Sequence, residues 1–216
     1  VSALRSVRIF FQKNDRMKYI SHLDMNRFMS RALRLSGIPI WYTEGFNPHP
    51  YLTFLLPLSL GFESDYEMMD IRVLDDNFGN ENVRAALQPV LPEYIKIFKV
   101  AEARRKPGKI AYSSYRIDFK DLSDELYQKL GDFLKQEEIL TQKVGKKGKV
   151  RELNLAEKIT DCKLTKNGES ATLYLTLPAG GADNVNPTLL LKAFGELPFY
   201  RIRRTAVLDA EKNLFE

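Results

Sequence analysis

The chain has 216 residues, 44% of them hydrophobic and 28% charged, which fits one large or two small globular domains. No apolar run approaches the roughly 20 residues of a membrane helix, residues 1–8 carry no signal-peptide pattern, and one cysteine, Cys162, excludes a disulfide framework and any cysteine-rich metal or iron–sulfur site. A cytoplasmic setting without a membrane is therefore expected, and a net charge of +5 with a pI near 9.1 favours an acidic partner such as nucleic acid.

Residues 7–12 are an apolar run rich in β-formers and read as a strand. Ser21 caps the helix that follows, Asp24 completes a short form of the capping box, and Gly37 stops it. Met25, Phe28, Met29, Ala32 and Leu33 recur at the spacing of one buried helical face, and Arg27, Arg31 and Arg34 form a cationic ridge on another. Residues 38–43 read as a second strand, 47–50 as a turn and 51–58 as extended again. A strand over 66–74, a helix over 82–90 and a strand over 95–101 complete a β-α-β-β-α-β order. Residues 104–109, basic with a proline and a glycine, read as the core of a linker spanning 104–112.

The second half repeats the order. It has a strand at 114–119, a helix capped by Ser123 and running to about 138, and a hairpin of strands 139–144 and 150–155 around Gly145-Lys146-Lys147-Gly148. An unassigned stretch at 156–164 precedes a strand at 171–177, a helix from Pro187 to 194 and a last strand at 199–208. The expected fold class is α+β, with two tandem ferredoxin-like domains, residues 1–103 and 113–216, the second with an added basic hairpin.

The two histidines, His22 and His49, sit in two short phrases: Ser21-His22-Leu23-Asp24 at a helix start, and Gly45-Phe46-Asn47-Pro48-His49-Pro50 in a stiff turn. In a β-α-β unit the end of the first strand, the start of the helix and the end of the second strand share one sheet edge. His22 and the 45–50 loop are thus expected to meet, with Glu44, Asn47, Glu63, Ser64 and Glu67 nearby. A strand running on past Pro50 would loosen that proximity. The loop site so defined is Ser21, His22, Asp24, Glu44, Asn47, His49 and Glu67. Structural readings stand beside it: Ser21 and Asp24 as a cap, His49 as part of a rigid turn.

These phrases, with Arg31-Ala32-Leu33-Arg34, Pro57-Leu58, Gly61, Ser64 and Glu67, and with Arg203-Arg204-Thr205 near the end, resemble the radical-SAM-linked family of unknown function. The resemblance covers nearly the whole chain. Tyr42-Thr43-Glu44 departs from it where a Ser or Gln is expected near position 44, which bears on fine specificity. Members occur fused to, or encoded beside, a radical SAM protein with a cobalamin-binding-like region. The resemblance implies a partner carrying an iron–sulfur cluster and S-adenosylmethionine, while this chain binds no cofactor and no metal itself. Radical SAM chemistry needs three cysteines and the chain has one.

Three function classes follow. The first is a non-catalytic accessory module binding structured RNA, through Arg27, Arg31 and Arg34, the hairpin residues Lys143, Lys146, Lys147, Lys149 and Arg151, and Arg201, Arg203 and Arg204. The second is a protein-interaction or substrate-presenting subunit of the radical SAM partner. The third is a metal-independent endoribonuclease of the repeat-RNA-processing type, with His22 or His49 and Tyr19 as acid and base. The aromatics Phe10, Phe11, Tyr115 and Phe119 read as core rather than as base-stacking platforms.

Overall fold

The computed structural model describes residues 4–144, 150–181 and 183–216, with the side chains of 143, 144, 150 and 151 outside the described set. The chain divides into two compact units, one of residues up to Pro107 together with Glu216, the other Gly108–Phe215. Both are mixed α+β.

In the first unit, β1 (Arg5–Lys13), β2 (Leu52–Phe54), β3 (Glu63–Val73) and β4 (Ile95–Glu102) make an antiparallel sheet in the order β4-β1-β3-β2. Two helices, α1 (His22–Leu35) and α2 (Asn80–Leu87), connect its strands. Alternation along the strands sends Val7, Ile9, Phe11, Met69, Ile71, Val73, Ile95 and Ile97 to one face, where they pack with Met25, Met29 and Leu33 of α1 and Val83 and Leu87 of α2. Each such side chain, fully buried, contributes about 1.5–3 kcal/mol.

The sequence reading of α1 matches its caps. Ser21 Oγ accepts from the Asp24 N–H at 3.1 Å and donates to the Asp24 carboxylate at 2.7 Å. The stop is Gly37 at φ +73°, a left-handed conformation open to glycine without steric cost.

The expected strand over 38–43 is not a continuous strand. Two isolated bridges stand there, Ile40 to Val73 and Tyr42 to Pro50, and the sheet's fourth strand is the three-residue β2. The prolines at 48 and 50 lack the N–H that a ladder requires, so after touching β3 at Ile40 and Trp41 the chain pairs with itself, Tyr51 to Trp41, before β2 joins β3. The second helix begins at Asn80 and runs out through a 3-10 turn over Gln88–Val90.

In the second unit, β5 (Tyr112–Phe119), β8 (Asp161–Asn167), β9 (Ser170–Pro178) and β10 (Tyr200–Leu208) make an antiparallel sheet in the order β10-β5-β9-β8. Its helices are α3 (Asp124–Phe133) and α4 (Pro187–Phe194). A separate hairpin of β6 (Leu140–Val144) and β7 (Val150–Asn154) comes between α3 and β8. Its predicted turn, with Lys146, Lys147 and Lys149, lies outside the described residues.

Two readings are corrected here. The third helix ends at Phe133, five residues early, because Lys135 and Gln136 turn back onto Asp132 and Phe133 in the tighter i−3 pattern. The unassigned stretch holds an edge strand, β8. It escaped the apolar pattern because, of the three residues on the face of the buried Leu175, Leu173 and Ala171, only Cys162 and Leu164 are apolar, the third is Lys166, and the rest is polar, as sheet edges are.

Candidate functional site

His22 opens α1 at the edge where β1 ends. Its ring meets Phe54 of β2 edge-on at 5.3 Å. The Asn26 side-chain amide donates to the His22 carbonyl at 3.0 Å and lies 3.1 Å from its Nε2. With that amide as donor, Nε2 accepts and the neutral ring carries its proton on Nδ1. Phe11, Lys13, Met25, Phe54, Leu58 and Glu67 line a cleft beside it. Lys13 and Glu67 are each only 3% exposed, and the Lys13 ammonium donates to the Ile20 carbonyl at 3.2 Å. The buried Glu63 accepts from the Asp15 N–H at 3.1 Å and lies 3.6 Å from the Lys18 ammonium, which ties the turn Asp15–Tyr19 to β3.

The magnitude of this cleft limits what it can do. Its volume is about 10 Å³, room for about one water, whereas ligand sites measure about 300–1,000 Å³. His22, Lys13 and Glu67 therefore form a supported sheet end rather than a substrate pocket.

His49 lies elsewhere. The loop that carries it is closed by Thr43, whose N–H donates to the His49 carbonyl at 2.9 Å and whose hydroxyl accepts from the His49 N–H at 3.2 Å. The His49 Nδ1–H donates to the Asn47 carbonyl at 3.0 Å, so its tautomer is fixed by a group that only accepts. None of the described contacts of either histidine reaches the other. The reason is β2: it begins after the loop, so the strand end beside α1 is Phe54, and the 45–50 loop precedes the strand. Of the predicted loop site, the structure groups Ser21, Asp24, His22 and Glu67 around the helix start. Glu44, Asn47 and His49 sit in the separate loop, all exposed, with Gly45 at φ +122° and Phe46 fully exposed at its tip. Tyr19 is exposed, with the Lys18 ammonium 5.3 Å from its ring centre.

The sequence reading missed the residue that holds this loop. The Arg72 guanidinium lies 5.1 Å from the Trp41 ring and 4.3 Å from the Tyr51 ring, and those rings are 5.7 Å apart. The Trp41 N–H donates to the Arg72 carbonyl and the Tyr51 N–H to the Trp41 carbonyl. The one cation of a strand whose other charged residues are all acidic, with aromatics before and after a Pro-rich turn, was the available signal.

The basic residues divide as well. Arg27, Arg31 and Arg34 are all exposed on α1. Arg27 pairs with Asp24 at 3.3 Å, a one-turn surface pair worth a few tenths of a kcal/mol, about 0.3–0.5. Arg31 and Arg34 have no ion-pair partner among the described residues. Arg201 is exposed, its guanidinium 5.8 Å from the Phe199 ring centre, and Arg203 is half-buried. Arg204 is 2% exposed and cannot reach a phosphate. Its register opposite Tyr115 puts it on the buried face of the second sheet. Lys143 and Arg151 face each other in backbone register across the hairpin. Phe10, Phe11, Tyr115 and Phe119 are buried, as read.

A family model described as an uncharacterised protein conserved in bacteria (DUF2344) matches residues 6–187. No curated protein matches. Among solved structures, a chain of the crystal structure of a Cbf5-Nop10-Gar1 complex is similar at 12% identity and a TM-score of 0.48, over 93% of this chain and 48% of that one, so this chain spans about half its length. An unknown protein from Galdieria sulphuraria is similar at 12% identity and a TM-score of 0.29, over 88% of each chain. At these scores neither likeness bears on what the chain does.

Proposed function

The chain belongs to the family described as an uncharacterised protein conserved in bacteria, DUF2344, and from that premise we propose that it is a non-catalytic accessory module that binds structured RNA for a radical SAM partner. The partner is inferred from the motif resemblance given above, and the iron–sulfur cluster and S-adenosylmethionine are that partner's. The strand order β4-β1-β3-β2 in one unit and β10-β5-β9-β8 in the other supports reading both as ferredoxin-like, the second with a hairpin inserted after its first helix.

One observation carries the RNA reading: the exposed ridge Arg27, Arg31, Arg34. The three guanidinium groups fall on one helical face over about 10 Å of axis. Two of them are unneutralised among the described residues, so their charge is available to phosphates. The small volume of the cleft beside His22 favours binding over catalysis.

A labelled transfer RNA tests this reading. Arg27→Glu with Arg31→Glu reverses two charges, a change of four units, and is expected to weaken binding at least tenfold, with unchanged circular dichroism. Unchanged affinity removes the ridge from the account. A second reading, a protein-interaction subunit, is favoured by the fully exposed Phe46. Phe46→Ser is expected to weaken capture of the radical SAM partner and to leave RNA binding alone.

A further inference from the structure

The second unit's sheet ends on an open edge. In the order β10-β5-β9-β8 the last strand is hydrogen-bonded to β9 on one side only. Gly168, at φ +60°, opens the two-residue turn between β8 and β9, the place of glycine in a type II′ turn, and Asn167 and Ser170 flank it as a hydrogen-bonded pair. Pairs alternate from there. Thr165, Lys163 and Asp161 bond to β9, whereas Cys162, Leu164 and Lys166 turn their N–H and C=O groups outward. Among the described residues those groups meet only the Tyr127 hydroxyl, which is 3.4 Å from the Leu164 carbonyl and long for an O–H···O bond.

Beside this edge α3 leaves a groove. Tyr127, Gly131 and Leu134 wall it on the helix side and Cys162 and Leu164 on the strand side, around about 410 Å³, within the roughly 300–1,000 Å³ of ligand sites. Gly131 has no side chain to fill it, and a Cβ there would lie 4.0 Å from the Leu164 Cδ2. The charged residues of its lining, Asp132 and Lys135, are 3.9 Å apart and compensate each other. Lysines commonly guard sheet edges, but Lys166 is drawn over the Tyr127 ring and paired with Asp124. Lys163 is exposed on the other face of the strand, with no ion-pair partner among the described residues.

Independently of RNA binding, we infer that this edge takes an extended peptide segment of a partner protein as an added antiparallel strand, with apolar side chains in the groove and a carboxylate opposite Lys163. The main chain identifies the occupant. Outward N–H and C=O groups on every second residue are satisfied together by another extended backbone, and a nucleic acid offers no such ladder. Alternation then sets the side chains. Residues opposite Cys162 and Leu164 point into the groove, which suits uncharged apolar groups. The residue between them lies on the other face, where an acid completes a cross-strand pair with Lys163.

The test uses the full chain and a labelled heptapeptide of alternating valine and glutamate, blocked at both ends. Hydrogen exchange reads the docking. At about ten times the Kd, the amides of Cys162, Leu164 and Lys166 are expected to slow about tenfold, while those of Lys163 and Thr165, already bonded to β9, keep their rates. N-methylation of the valines, whose N–H groups face β8, is expected to abolish binding, and N-methylation of the glutamates to leave it. Lys163→Glu is expected to weaken binding about 2- to 30-fold, with recovery on a peptide carrying lysine in place of glutamate. Gly131→Leu, which favours the helix, is expected to block the groove with unchanged circular dichroism. No binding at millimolar peptide overturns the proposal, as does binding insensitive to N-methylation or to Gly131→Leu. Protection of the same amides that rises with protein concentration, without peptide, makes the edge a self-pairing surface and also overturns it.

Discussion

Replacing Arg72 with leucine should loosen the 45–50 loop without unfolding the sheet beneath it. Leucine keeps the apolar contact of the arginine stem and removes the charge that sits within about 5 Å of two aromatic rings. A cation over one ring contributes about 0.5–1 kcal/mol when exposed and about 2 when desolvated, so the pair is worth about 1–3 kcal/mol. Taking about 2 kcal/mol, local opening becomes about 30-fold more frequent. Hydrogen exchange reads this directly. The amides of Thr43 and Tyr51, bonded to His49 and Trp41, are expected to exchange about 30-fold faster, and the Met25 amide in α1 at its wild-type rate. Trp41 is the sole tryptophan, so its emission should shift to the red in parallel. Unaltered exchange at Thr43 and Tyr51 with unshifted emission would refute the claim that Arg72 holds the loop.

Asp70→Asn should cost about 3–5 kcal/mol in denaturant unfolding, because it strips the charge partner from a fully buried Arg8 held by two hydrogen bonds of 2.8 and 3.0 Å; a loss under about 1 kcal/mol would show that the Arg105 carbonyl suffices. Burial, with Glu216 adding to it, pushes the Tyr66 phenol up to about 12 from its ordinary 10. The neutral form is thus favoured by folding, its contribution is complete below pH 10, and it is lost as pH rises towards 12. Tyr66→Phe should abolish that alkaline phase in a stability-against-pH profile. His49→Ala should lower global stability by no more than about 1.5 kcal/mol, since its bonds stay within one exposed loop; a larger loss in urea unfolding would make the loop part of the core.

The elements with caps and periodicity were legible in the sequence. Ser21, Asp24 and Gly37 delimit α1, and the glycines near 145 and 148 mark the hairpin whose strands pair from Leu140 to Asn154. What escaped was set by pairing partners distant in sequence. Residues 38–43 have β-forming side chains, yet the neighbouring prolines spend their pairing on an internal loop. Lys13 lies one residue past the strand read over 7–12, and its ammonium is buried against the Ile20 carbonyl. Arg204 belongs to a basic run, but strand alternation puts it on the face of Ile202, opposite Tyr115, so that it faces inward. The two histidine phrases looked like one site because both were assigned to one sheet edge, and the late start of β2 separates them.

The most direct test of the RNA-binding account is anisotropy of a labelled transfer RNA, set against an unrelated duplex DNA and repeated across salt concentrations. Neutralising about five phosphates predicts a log–log slope of roughly −3.5 to −4.5 with preference for the RNA. Absence of binding at low salt, or equal affinity for the duplex DNA, would contradict it.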